Sequence, residues 1–113
     1  MKIVTDKITV SELKKMSARF GNMVKAVVDI EKERVAVDAE LHSDLEALLL
    51  SEGSKQTELW GINFYPDLDG GDFMEFDSMI NIRPSQSNHS RGVDSPQTQK
   101  KIKDIIAERV DRS

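Results

Sequence analysis

Residues 23–38, MVKAVVDIEKERVAVD, admit two conformations, a β-hairpin or a helix, and the choice between them decides how many strands the sheet has. Val24, Ala26, Val28 and Ile30 alternate with Met23, Lys25, Val27 and Asp29, the period-two pattern of a strand with one buried face. Val35 and Val37 alternate with Arg34, Ala36 and Asp38 in a shorter run, and Glu31-Lys32-Glu33 joins the two as a charged turn. Glu31 to Arg34 and Ala36 to Glu40 are good helix formers, so a helix competes for this region. The valines favour the hairpin, because a side chain stiff at χ1 suits a pleated surface better than a helical turn.

Upstream of the hairpin, Thr9-Val10-Ser11-Glu12 forms a capping box, with Ile8 and Leu13 at the two staple positions. It predicts a helix over residues 10–20 that buries Val10, Leu13, Met16 and Phe20 and ends at Gly21. Downstream, Ser43-Asp44-Leu45-Glu46 repeats the box, and Leu45, Leu48 and Leu49 give a second helix ending at Gly53. A third strand over residues 59–65 places Trp60, Ile62 and Phe64 on one face, and Pro66 stops it. The DLDGGD loop leads to a fourth strand, in which Met74, Phe76, Ser78, Ile80 and Ile82 alternate with Glu75, Asp77, Met79, Asn81 and Arg83. Ser95 then caps a last helix with Pro96 at its first position and a stripe of Ile102, Ile105, Ile106 and Val110.

The predicted order is therefore α-β-β-α-β-β-α in a single α+β domain of 113 residues. Two hairpins imply a four-stranded antiparallel sheet, and three amphipathic helices need one apolar surface, so the expected architecture is a two-layer sandwich. Its core joins Val24, Val28, Ile30, Val37, Trp60, Ile62, Phe64, Phe76, Ile80 and Ile82 to Leu13, Leu45, Leu48, Ile102 and Ile106. Lys25, Asp29, Arg34, Asn63, Tyr65, Glu75, Asp77, Asn81 and Arg83 fall on the opposite face, expected to be open to solvent or to a partner.

The chain has no cysteine, which removes disulfides and thiolate chemistry and fits a reducing compartment. Neither a secretory leader nor a membrane span is legible, so the expected location is cytoplasmic, with no membrane partner. The formal net charge is −4, unevenly spread: residues 57–82 hold six acidic side chains and no basic one, whereas residues 83–113 hold seven basic and four acidic. A net acidic chain is a poor general binder of nucleic acid, although its basic C-terminal part leaves room for a local patch.

The candidate chemistry lies in residues 76–92, FDSMINIRPSQSNHSRG. From Ser85 to Gly92 no side chain is apolar, so the run is expected to pack nothing and to stand as a polar site between two guanidinium groups. Arg83 and Arg91 would offer bidentate donors to a phosphate or carboxylate, with Ser85, Gln86, Asn88 and Ser90 filling the remaining lone pairs. The competing account is a solvated loop whose arginines pair with Asp77 or Asp94. His42 and His89 could serve as base and acid if the fold brings them together, the competing account being an exposed or structurally bonded His42, and His42 joins the ligand-binding candidates should it lie near the loop. No metal or cofactor is expected: Glu40, His42 and Asp44 lack the spacing of a known site, and Asp67, Asp69 and Asp72 fail the EF-hand pattern.

At residues 40–42 (ELH), 59–66 (LWGINFYP) and 75–93 (EFDSMINIRPSQSNHSRGV) the chain resembles a family of short, uncharacterised prokaryotic proteins grouped as a domain of unknown function. The resemblance runs from the first helix into the last and brings no activity with it. Members of that family carry glycine and arginine where this chain has Ser87 and His89, which argues against a catalytic His89. Arg83, Pro84, Ser85, Gln86, Asn88, Ser90 and Arg91 match the family's motif. Two functions follow as expectations: a module binding an anionic small molecule or nucleic acid through the polar loop, or an interaction module, such as a homodimer, using the open sheet face. A small nuclease is a minor third.

Overall fold

The computed structural model describes residues 1–112, and residues 23–38 form the expected hairpin. In chain order the elements are β1 (Lys2–Val4), β2 (Ile8–Thr9), α1 (Val10–Ser17), β3 (Val24–Asp29), β4 (Arg34–Val37), α2 (His42–Ser51), β5 (Leu59–Phe64), β6 (Met74–Glu75), α3 (Pro96–Arg109) and β7 (Val110–Asp111). Five strands build one antiparallel sheet in the order β1-β4-β3-β5-β6, while β2 and β7 pair in parallel as a separate ladder. The central strand β3 sets Val28 opposite Trp60, Ala26 opposite Ile62 and Val24 opposite Phe64. Its turn to β4 needs a left-handed residue, supplied by Glu33 at φ +54°, and Asp29 Oδ1 steadies it by accepting from the amides of Glu31 and Lys32.

The caps explain where the helices begin. Thr9 Oγ1 accepts the Glu12 amide at 3.1 Å, starting α1, and Ser95 Oγ accepts the Thr98 amide to start α3 at Pro96. α1 is shorter than expected: after Ser17 the amides of Arg19 and Phe20 reach back only three residues, tightening the chain into Gly21 at φ +81°. α2 begins one residue earlier than its predicted cap. Leu41 occupies the N-cap, where it has no side-chain acceptor to give, so the capping box read at Ser43 is not used. The helix end matches expectation, with Gly53 at φ +91° and the Ser54 amide returning to Leu49 O at 3.0 Å.

Alternation along the strands sends side chains to both faces, and both are covered. On one, Val24, Ala26, Val28, Val35, Val37, Trp60, Ile62 and Phe64 pack with Leu13 of α1 and Ile102, Ile105 and Ile106 of α3. On the other, Val27, Ala36 and Leu59 pack with Leu45 and Leu49 of α2, with Ile3, Leu48 and Ile80 at the margin. The molecule is thus helix–sheet–helix, three layers in place of the two-layer sandwich. The odd positions of β3 and β5 already held the reason, since Val27 and Leu59 are as apolar as their even neighbours. The open face is corrected with it: Asp29, Asn63, Asn81 and Arg83 are buried.

Two strand assignments also change. β1, unread in the sequence, pairs with β4, so the main sheet has five strands and not four. The long fourth strand is only Met74–Glu75, after which the chain leaves the sheet for short 3₁₀ turns at Met79–Asn81 and Pro84–Gln86. The physical cause is Gly61 of β5. A Cβ there would lie 2.4 Å from Ser78 Cβ, so the bare glycine lets Ser78 sit where a side chain would be. Ser78 Oγ then accepts the Ile80 amide and bends the chain inward. As a result Asn81 is fully buried, whereas Ile82, expected in the core, is 39% exposed.

Candidate functional site

The polar run after β6 proves to be an internal clasp. Asn81 Nδ2 donates to Gly61 O at 2.9 Å and its Oδ1 accepts the Gly61 amide at 2.8 Å, so one side-chain amide replaces the strand neighbour that β5 lacks there. The Arg83 and Asn88 backbones form a β-bridge, closed through Ser87 at φ +59°. Asn88 Nδ2 lies within hydrogen-bond distance of the carbonyls of Asn81 (2.7 Å), Ser90 (3.1 Å) and Gly92 (2.9 Å), and its Oδ1 accepts the Asp94 amide. The expectation that this run packs nothing is therefore corrected: its small amides satisfy backbone groups buried at the end of the sheet.

Arg83 has the same inward role. Its guanidinium lies 4.1 Å over the Trp60 ring and donates to the carbonyls of Gln56 and Leu59, fastening the chain at the entry to β5. Burial lowers its proton affinity, and the charges of Glu46 and Glu58 act in the opposite direction. Gln86 Nε2 adds a bond to Thr57 O at 3.0 Å on the same segment. Ser85 is exposed in the Pro84–Gln86 turn. Ser90 Oγ donates to Asp94 Oδ1 at 2.5 Å, and that bond, followed by the His89 amide, holds the Asp94 carboxyl below its ordinary range.

Arg91 and His42 are the two predicted site residues that line one pocket. It has a volume of about 370 Å³, and Lys25, Ser43, Asn63 and Asp77 line it with them. Arg91 Nε donates to Asp77 Oδ1 at 2.6 Å, and Lys25 Nζ is held by Glu40 O at 2.7 Å. Leu41, His42 and Ser43 bring the first turn of α2, which has no side-chain cap, to the wall. Asn63 is 3% exposed. Its amide donates to Glu75 Oε1 and to Asp77 O.

His42 is half-buried in this wall with Nε2 2.8 Å from Ile62 O. A carbonyl can only accept, so Nε2 carries the hydrogen and Nδ1 is the basic nitrogen. Burial is the largest influence and lowers the imidazole's pKa below its ordinary value, with Lys25 adding to the lowering while the Ile62 carbonyl, Asn63 and Asp77 oppose it. His89 is exposed and does not line this pocket, and Arg83 does not line it either. Lys25 and Asn63 were read in the sequence only as face residues. Their positions in β3 and β5, paired across the sheet, are what join them to the wall.

Residues 2–109 match the model of a family described as protein of unknown function (DUF5674), in keeping with the resemblance drawn from the sequence. No curated protein and no solved structure matches the chain.

Proposed function

The chain belongs to this family of proteins of unknown function, and from its geometry we propose that it is a binding module for a small anion, a phosphate or carboxylate group, seated in the pocket between α2 and the Arg91 end of the polar loop. The observation that carries the reading is the convergence of Lys25, Arg91 and the uncapped N-terminus of α2 on one cavity. Helix-end amides and two cations together favour negative charge, and Asp77 offsets only one of those cations. In this reading Arg83, Gln86 and Asn88 build the rim that positions Arg91, while Ser85 and Ser90 stand at the surface of the loop.

Neither alternative has comparable support. The interaction reading rested on an open sheet face that α2 covers, and the nuclease reading needs a second histidine beside His42. Thermal unfolding with inorganic phosphate, a sugar phosphate and a hydroxycarboxylate tests the proposal, using wild type, Arg91→Ala and Lys25→Ala. An anion at about 100 times its Kd stabilises the wild type by about 2.7 kcal/mol. Both variants are expected to lose that gain. Absence of stabilisation by every anion, or equal stabilisation of the variants, contradicts it.

A further inference from the structure

A larger cavity lies elsewhere, between α3 and the segment at Gly70–Phe73 and β6, with a volume of about 910 Å³. Its floor is apolar: Phe73 is buried, Met74 and Phe76 are half-buried, and Ile106 and Val110 show one edge of the α3 stripe. Its rim is cationic. Arg112 lies 4.1 Å over the Phe73 ring, Lys103 Nζ lies 5.9 Å from the Phe76 centroid, and Lys7 Nζ is tied to Glu108 O at 3.0 Å. Asp111 is the acid in the described lining, against these three cations.

A phosphate or carboxylate alone would leave most of this volume empty, and an uncharged hydrocarbon would offer nothing to the cations that outnumber Asp111 on the rim. We infer that the groove binds a small amphipathic anion, whose apolar body covers Phe73, Phe76 and Ile106 and whose single carboxylate meets Lys103 and Arg112. The two cations sit over aromatic rings, so they can turn toward a head group while their stems keep covering the apolar floor. A cavity of this size and lining is of the kind that buries most of a small organic ligand. This site is separate from the Arg91 pocket and does not depend on it, since the two share no lining residue.

Backbone amide chemical shifts of the full chain, titrated with octanoate, octylammonium and inorganic phosphate, test the inference. Octanoate is expected to shift the signals of Phe73, Met74 and Ala107 saturably. Octylammonium and phosphate are expected to leave those signals in place. A double charge reversal, Lys103→Glu with Arg112→Glu, should weaken octanoate at least tenfold, and Ala107→Trp, at an exposed position on the wall, should block it while the remaining spectrum stays folded. Equal binding of octylammonium, no saturable shift with octanoate, or unchanged affinity in the charge-reversed variant would overturn the assignment.

Discussion

Gly61 and Asn81 show how one residue redirects a chain. Hydrophobic alternation reads Met74 to Ile82 as a strand, and the pattern is real, but Gly61 admits Ser78 into the space beside β5 and Asn81 then takes over the pairing. Nothing in a one-dimensional pattern marks an asparagine whose amide will mimic a neighbouring peptide group, which is why Asn81 and Asn88 were read as surface or ligand-binding residues. Gly61→Ala is accordingly expected to cost about 3 kcal/mol, toward the upper end for overpacking a core, read as a lower urea midpoint. Gly71→Ala is the control, because a Cβ there meets nothing within 4 Å and the midpoint should not move.

Among the elements, the helices were the most legible, because caps and 3.6-residue periodicity are local signals. Thr9, Ser95, Pro96 and Gly53 each mark a boundary that the structure uses. α2 is the exception: its first turn opens at His42 without a side-chain cap, and that departure places His42 in the pocket wall. Because burial lowers the folded pKa of His42 below 6.5, the unfolded chain binds more protons, and stability attributable to this group falls as pH drops through 6.5. Urea midpoints measured from neutral pH downward should show this decline, and His42→Gln, which keeps a donor for Ile62 O, should remove it. An unchanged slope in that variant would place the titration elsewhere. An anion bound at Arg91 and Lys25 would raise the folded imidazole's pKa back toward its ordinary value and make the decline smaller.

For the whole molecule, the mixed class and the β3–β4 hairpin were legible, whereas the layering was not. Val27, Ala36 and Leu59 required a second apolar cover, but only the strand order β1-β4-β3-β5-β6 shows that α2 provides it. The same topology divides the polar run: Arg83 turns inward onto Trp60 and the backbone before β5, and Arg91 stays at the pocket with His42 and Lys25. Sequence proximity made them look like one clamp, and the fold gives them different tasks. Urea unfolding of Arg83→Met and Arg91→Ala, with and without saturating phosphate, separates those tasks in one measurement. Arg83→Met, which strips the donors from Gln56 O and Leu59 O, should lose roughly 2–4 kcal/mol yet keep its phosphate-dependent gain, while Arg91→Ala, which breaks only an exposed ion pair, should lose less than about 1 kcal/mol and the whole of that gain. The reverse pattern, with Arg83→Met stable but unresponsive to phosphate and Arg91→Ala unstable but responsive, would contradict the account.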